Sequence, residues 1–342
     1  MKIPKPNHSI VNLIDRYHES KQEKPRPHMG VSQLGHECDR YLWLSFRWAI
    51  VEQFQGRILR LFRRGHNEEQ TIIGDLRAIG IDVRQSGGNQ HRVDFGSHVS
   101  GSIDGVIMSG VPEAPNKPHI AEFKTHSKKS FDDLVKNGVQ KSKYMHYIQM
   151  QIYMLGMDID RALYLAVCKD DDRIYTERVK LDVELANRYV ERGKLLALEN
   201  QMPPRIKDDP TWYSCKWCPA YDFCFNEQPT KEANCRTCAF STPKEDSTWF
   251  CNKWQDTIPT DAQYNGCDYH VVRPDLVPWE LGDGGDDEWT ASYIFNGAEV
   301  LNGNPREGVF SSAELLANPD ACFNADEFIN ELRSKFNARV VK

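Results

Sequence analysis

No apolar run in this sequence approaches the ~18–20 residues that a membrane-spanning helix needs. A helical membrane protein is thereby excluded. Internal repeats and low-complexity tracts are also missing, which excludes a solenoid or a repetitive rod. The opening stretch, MKIPKPNHSIVNLIDRYHES, has no secretory h-region and no small-residue cleavage site, so the expected location is the cytoplasm. Positive charge is not in excess either. Across 342 residues, 43 Lys+Arg face 49 Asp+Glu, for a net charge of −6. That balance is uneven: residues 1–228 carry 33 basic and 30 acidic side chains, and residues 229–342 carry 10 and 19. A near-neutral N-terminal part can still bind DNA through a local basic groove.

What the sequence does have is a soluble composition, 40% hydrophobic and 27% charged, and ten cysteines. In a reducing compartment, clustered cysteines are more often metal ligands or catalytic groups than disulfides. Cys168 and Cys322 stand apart, and the other eight form two sets of four. Residues 21–30 read as a polar linker. Residues 57–79 predict a helix stopped by Gly80. Residues 81–125 predict strands, with turns at Ser86–Asn89 and Pro112–Pro118. A long helix is expected over 131–157, strands over 161–168 and 173–180 about the turn Lys169–Asp172, and a helix over 183–200 that Pro203–Pro204 ends. A cysteine-rich region (205–270) follows, then a hairpin (291–302) and a short helix (325–337).

The strand His119–Thr125, HIAEFKT, alternates so that Ile120, Glu122 and Lys124 share one face while Ala121 and Phe123 share the other. Upstream, Ser100–Met108 predicts another strand, with Asp104 interrupting its apolar run beside Gly105. An Asp and a Glu on adjacent strands make a hard-oxygen site suited to Mg²⁺. A neighbouring lysine can orient a water and stabilise phosphate charge. Alone, Glu122 and Lys124 read equally well as a surface salt bridge. The helix 57–79 has an apolar stripe of Ile58, Phe62, Ile72 or Ile73, Leu76 and Ile79. Stepping along it lands on Gly65 or His66 and then Glu69, which puts an acid and an imidazole on the face expected to be buried. An arginine partner for Glu69 is the alternative. Gln149 and Tyr153, four apart on one helical face, offer hydrogen bonds for phosphate or base contacts, with core packing as the alternative for Tyr153.

Taken in order, Gly65 and Glu69 (G-x-x-x-E), Asp104, Glu122 and Lys124 (E-x-K), and Gln149 and Tyr153 (Q-x-x-x-Y) resemble the PD-(D/E)XK nucleases. The match is to the exonuclease branch shared by RecB-type and lambda-type enzymes. The resemblance implies an α/β core with a mixed central sheet flanked by helices. It implies Mg²⁺ or Mn²⁺ bound by Asp104 and Glu122, with Glu69 and His66 as further contacts, and Lys124 assisting the nucleophilic water. Gln149 and Tyr153, with Lys128 and Lys129, would position DNA.

Cys215, Cys218 and Cys224 sit as C-x₂-C-x₅-C and need a fourth ligand. Cys38, in a C-x-R-aromatic context, is the candidate. This pattern resembles the iron–sulfur nucleases, which include AddB and the CRISPR-associated RecB-like exonucleases. The resemblance implies a structural [4Fe–4S] cluster closing the two ends of the core; zinc on the same ligands is the alternative. Cys235, Cys238, Cys251 and Cys267 follow, with His270 as a spare ligand, and resemble a zinc-binding module around which Trp249, Phe250 and Trp254 could pack. A second iron–sulfur cluster is the other option.

Two basic runs complete the pattern: His126, Lys128, Lys129, Lys136, Lys141 and Lys143, and Arg57, Arg60, Arg63 and Arg64. Each reads as a phosphate track or as a solvated helix face. The acidic run 283–288 reads as a solvated loop. The expected division is a nuclease core with its iron–sulfur region (1–228), a Cys₄ module (229–272) and an acidic extension (273–342). The expected activity is Mg²⁺- or Mn²⁺-dependent hydrolysis of DNA phosphodiesters, probing a free end or single strand, in recombination, repair or end processing. A recombination or repair protein is the expected partner, and no membrane. The alternatives are an endonuclease or end trimmer of the CRISPR-adaptation type, or a non-catalytic DNA- or protein-binding metal scaffold.

Overall fold

The computed structural model describes residues 9–84, 91–285 and 287–341. The turn expected at Ser86–Asn89 lies outside the described residues, as does part of the acidic run 283–288. In chain order the elements begin with α1 (Ile10–Glu19), β1 (Met29–Gly30), α2 (Asp39–Phe46) and α3 (Gly56–Ala78). There follow β2 (Asp82–Arg84), β3 (Arg92–Asp94), β4 (Val99–Ser102), β5 (Gly105–Ser109) and β6 (His119–His126). Next come α4 (Lys128–Ser142), α5 (Tyr144–Met157), β7 (Arg161–Cys168), β8 (Ile174–Lys180) and α6 (Val183–Leu198). No helix among the described residues is long and apolar enough to cross a membrane.

The chain forms two compact units. One comprises residues 1–36 and 52–194, the other 37–51 and 195–342. These do not follow the division at 228 and 272 expected from sequence. The reason is packing: Trp43, Leu44 and Ala49 share one buried cluster with Val272, Leu276, Trp279 and Tyr293. The segment 37–51 thus belongs with the C-terminal third of the chain.

The first unit is mixed α/β. Its main sheet has five strands in the order β2-β5-β6-β7-β8. β6 and β7 run parallel, and every other pair is antiparallel. A parallel pair needs a long crossover, which α4 and α5 supply between β6 and β7. Central strands buried on both faces need apolar residues in both directions, and β7 (RALYLAVC) is buried from Ala162 to Cys168. One face packs Ala121, Phe123, Leu163, Leu165 and Val167 against Ile72, Ile73 and Leu76 of α3. A second, three-stranded sheet has the order β1-β4-β3.

Three expectations change in this unit. The strand expected over Ser100–Met108 is two strands, β4 and β5, in different sheets, and Asp104 lies at the break between them. The helix expected over 131–157 is two helices, and α4 is itself kinked where Gly138 adopts φ 72°. On α3 the buried stripe is shorter than the pattern implied: Phe62 and Ile79 are exposed, and Phe62 instead meets Phe54 edge-on.

The second unit holds α2 and continues with α7 (Tyr213–Lys216), α8 (Tyr221–Phe225), β9 (Ser241–Pro243), β10 (Trp249–Cys251), β11 (Asp256–Thr257) and α9 (Thr260–Gln263). Then come β12 (Glu280–Leu281), β13 (Ala291–Phe295), β14 (Ala298–Asn302), β15 (Val309–Phe310), α10 (Ser312–Ala317), α11 (Pro319–Phe323) and α12 (Glu327–Phe336). β9, β10 and β11 make a small antiparallel sheet, and β12 to β15 a four-stranded one containing the expected hairpin.

Two arginines are buried among aromatic rings here. Arg236 lies 3.8 Å above Trp48, and Arg47 lies 4.5 Å above Trp43. Burial pulls both guanidinium pKa values down to about 9. Arg47 donates to the Glu199 carbonyl, and Arg236 to the Phe46 carbonyl and Gln263. Trp249 is buried in this cation–π stack, and Trp254 is exposed.

Candidate active site and thiol clusters

The alternation of β6 places Glu122, Lys124 and His126 on the same face, beneath α5. Glu122 is wholly buried. Its Oε2 accepts from the Gln149 side-chain amide at 3.0 Å. Its Oε1 makes no hydrogen bond of good geometry but has the Lys124 ammonium as its ion-pair partner. Lys124 Nζ also lies 3.6 Å from Asp104 Oδ2 and donates to the Phe123 carbonyl at 3.2 Å. Asp104 is held from the other side, accepting from the Phe123 backbone N–H at 3.2 Å. The sheet break before β5 is what turns Asp104 toward β6. Glu69, on α3, completes the set through its electrostatic coupling to both Asp104 and Lys124.

Three acids around one lysine is an unbalanced charge set, and the protonation equilibria reflect it. Burial, then the Asp104 charge, pushes Glu69 up to about 7, while Lys124 pulls the other way. Burial pushes Glu122 up to about 8, with Lys124 opposing and Asp104 and Glu69 reinforcing. Burial opposes the charge on Lys124, yet Glu122 and Asp104 outweigh it and hold its pKa above the ordinary lysine value. A buried group of acids with surplus negative charge is relieved by a cation.

Tyr153 is buried, and its pKa is raised first by burial and then by Glu122 and Asp104. Close approach of backbone makes room for its ring. A Cβ at Gly101 would lie 2.9 Å from the Tyr153 ring and hydroxyl and 2.8 Å from Val31. Gln149 is spent on Glu122 rather than presented to solvent. His66 is exposed on α3, away from the buried stripe, whereas Glu69 is half-buried. Lys128 pairs with Asp132 and Asp171 at 3.5 and 3.6 Å, and Lys129 is exposed. Of the second basic run, Arg60 pairs with Asp15, and Arg64 donates to the Lys169 carbonyl at 3.0 Å.

One polar group was missed by sequence. Tyr164, in register with Glu122 across the β6–β7 pair, has its hydroxyl 2.8 Å from His126 Nε2 and 3.0 Å from His146 Nδ1. The two imidazoles stack at 5.9 Å. Burial, then nearby lysines, pulls His126 down to about 4; burial, then Lys124, pulls His146 down to about 3. The available signals were positional: His126 is two residues beyond Lys124, and His146 precedes Gln149 by one helical turn.

In the second unit, Cys38, Cys215, Cys218 and Cys224 line one small cavity. Cys38 caps the start of α2, and Cys224 lies in α8. Burial, then the neighbouring thiols Cys38 and Cys224, raises Cys215. Burial drives Cys218 up to about 11. Burial also raises Cys224, against a hydrogen bond from Arg40. Cys235 likewise feels burial first and then Cys238, Cys267 and Cys251, and is pushed up to about 12. Burial raises Cys238 to about 11, while hydrogen bonds from the Phe240 and Val271 backbone oppose it. His270 is buried beside Thr237, 3.2 Å from its hydroxyl, and 2.9 Å from the Asn234 carbonyl. Among the described residues, no three His, Cys, Asp or Glu side chains are drawn together tightly enough to grip an ion, in either thiol set or among the carboxylates.

No family model matches the chain, and no curated protein sequence matches it. Solved structures do. SSO0001 is 15% identical over 64% of this chain and 98% of its own, with a TM-score of 0.39. The LHK-Exo structure in complex with dAMP, from the alkaline exonuclease of Laribacter hongkongensis, is 15% identical over 50% and 86%, with a TM-score of 0.38. A phage-related exonuclease from Haemophilus somnus is 22% identical over 38% and 65%, with a TM-score of 0.27. At that level of likeness the functional case rests on the side chains.

Proposed function

We propose that the chain is a DNA nuclease that uses a divalent metal ion, Mg²⁺ or Mn²⁺, to hydrolyse phosphodiester bonds from a free end. The observation that carries this reading is the meeting of Asp104, Glu69 and the pair Glu122 and Lys124 from three separated stretches of sequence, with Glu122 wholly buried. A surface salt bridge between Glu122 and Lys124 requires neither the burial nor the two further acids. The donors are of the kind a hard cation prefers, oxygen ligands only, with three acids to one lysine.

Asp104 and Glu122 would hold the ion, with Glu69 adding a contact. When bound, the ion supplies positive charge against the negative charge that develops on the phosphoryl oxygens. The remaining work belongs to the chain. Gln149 fixes the orientation of the Glu122 carboxylate, and the Phe123 N–H fixes Asp104, as outer-shell partners do at metal sites. Lys124 keeps its proton, so it acts as a donor, orienting the attacking water and stabilising charge at phosphorus. The exposed Lys129 offers a contact for the strand, whereas the burial of Tyr153 favours core packing over a DNA contact.

The thiol sets are read as metal-holding. Four cysteines around one cavity suit a [4Fe–4S] cluster at Cys38, Cys215, Cys218 and Cys224. Backbone N–H groups donating to the Cys238 sulfur suit a thiolate, and the second set is read as a zinc site. Burial favours the protonated thiol at Cys215, Cys218, Cys224, Cys235 and Cys238, so loading metal there must release protons.

The test is cleavage by anaerobically purified protein of linear duplex, single-stranded and closed circular DNA, with Mg²⁺ or Mn²⁺. The expected outcome is degradation of the linear forms, intact circles and cleavage lowered about 100-fold or more for Lys124→Ala. Wild-type protein that leaves all three substrates intact with both metals overturns the reading. Cut circles would replace the exonuclease with an endonuclease.

A further inference from the structure

Residues 205–217, RIKDDPTWYSCKW, place three large aromatic side chains in the open within six positions. Trp212 is 41% exposed, Tyr213 81% and Trp217 77%. Scattered exposed apolar residues are ordinary, but three exposed flat rings so close in sequence point to an interaction surface. Each tryptophan carries a lysine: Lys207 lies 5.4 Å above the Trp212 ring, and Lys216 lies 5.4 Å above Trp217. The nearby acids are turned to other partners. Asp208 pairs with Arg205 at 3.0 Å, and Asp209 accepts from both the backbone and the hydroxyl of Thr211.

The backbone beneath the rings is tied down. Cys215 N and Lys216 N both donate to the Trp212 carbonyl, at 3.0 and 2.9 Å, and Cys218 N donates to the Cys215 carbonyl at 2.9 Å. Trp217 sits between two cysteines of the first thiol set. Little conformational freedom is therefore left to lose when something stacks on it.

We propose that Trp212, Tyr213 and Trp217, with Lys207 and Lys216, form a stacking surface for single-stranded DNA. Every base has a π-face, so ring stacking binds unpaired strands without regard to sequence, while ammonium groups beside the rings reach for the phosphates. The lysine heads now over the indoles can turn to phosphate as a base takes their place. A surface for another protein is the competing occupant. The two lysines set over the tryptophan rings favour a polyanion instead. This inference rests on the nuclease reading for its choice of DNA, but its test does not depend on cleavage.

The test is binding of a dye-labelled oligo(dT), followed by anisotropy and by quenching of tryptophan fluorescence, using the full chain without added Mg²⁺ or Mn²⁺. Tyr213→Ala, at a position exposed enough to leave folding alone, is expected to weaken binding about tenfold, and Trp217→Ala similarly. Trp217→Phe should stay within about threefold of wild type. Lys216→Ala should lower the slope of log affinity against log salt by about 0.7. Iron and zinc contents should be the same throughout. Wild-type protein that does not bind oligo(dT), or a Tyr213→Ala and a Trp217→Ala protein that bind it as tightly as wild type, overturns the proposal. If binding follows these expectations while no substrate is cut, the nuclease reading fails alone. If substrates are cut but the aromatic variants bind normally, only this surface falls.

Discussion

Gln149 shows how a single hydrogen bond can decide a role. Its amide is buried and donates to Glu122 Oε2 at 3.0 Å, which orients that carboxylate. Replacing it with leucine keeps the packing and frees the acid. Outer-shell losses of this kind typically cost 10- to 100-fold in metal affinity. Gln149→Leu should therefore raise the Mg²⁺ concentration for half-maximal cleavage by about that factor, with a smaller fall in rate at saturating metal. An unchanged metal requirement would remove Gln149 from the site. Lys124→Ala should differ, lowering cleavage at saturating metal about 100-fold or more, because what is lost is a donor to the developing charge. The histidines beside this site make a stability prediction. His126 and His146 titrate near 4 and 3 in the fold, against an ordinary 6.5, so both are neutral when folded. As pH falls through 6.5 the unfolded chain takes up protons that the folded chain refuses. Their contribution is thus intact above about 6.5 and is lost progressively toward pH 4, at roughly 1 kcal/mol per pH unit for each. Urea unfolding at pH 7.5 and 5.5 measures this, and His126→Gln should flatten the acid slope by about half.

At the scale of elements, the kink in α4 is the clearest case of backbone chemistry overriding periodicity. The apolar spacing over 131–157 fits one long helix. Gly138, however, sits at φ 72°, and Glu177 accepts from the Val139 N–H at 2.8 Å and from the Tyr175 hydroxyl at 2.6 Å. An alanine there pays the left-handed cost and brings its Cβ to 3.4 Å from the Glu177 carboxylate. Gly138→Ala should destabilise the protein by about 1–2 kcal/mol in denaturant titrations; a neutral result would mean that the kink is not enforced. Periodicity made most of the first unit legible, since β6, β7, β8 and α6 fall where alternation and the 3.6-residue repeat put them. Asp104, Glu122, Lys124 and Glu69 were legible too, because each interrupts an apolar pattern. Their company with Tyr164 and His146 was hidden, because it depends on the register between β6 and β7 and on how α5 lies over that face. Helices α1 and α2 went unread. α1 buries none of its residues, and α2 is an eight-residue helix that hides Leu42, Trp43, Leu44 and Phe46 against sequence far downstream.

The whole molecule turns on that last point. The chain enters the second unit at Glu37, leaves it at Val51 and returns at Leu195. Trp43, Leu44 and Ala49 are fully buried in its core, and Trp43 and Arg47 both donate to the Glu199 carbonyl, each at 2.8 Å. The Asn234 side-chain amide donates to the Trp48 carbonyl at 3.2 Å, and Thr230 to the Ala49 carbonyl at 2.6 Å. Cys38 starts the same segment. A fragment covering 195–342 alone therefore loses a wall of its core, the partners of several buried polar groups and one thiol of the first set. Burying large apolar side chains is worth about 1.5–3 kcal/mol each, so losing several at once approaches the 5–15 kcal/mol that separates a folded domain from an unfolded one. The fragment should show no cooperative thermal transition, even when reconstituted with iron, sulfide and zinc. Joining residues 37–51 to its N-terminus through a flexible Gly/Ser linker should restore both the transition and the iron content. If 195–342 melts cooperatively on its own and retains a full complement of iron, the segment around Cys38 is an ornament to that unit, and the four-thiol cluster built on it falls as well.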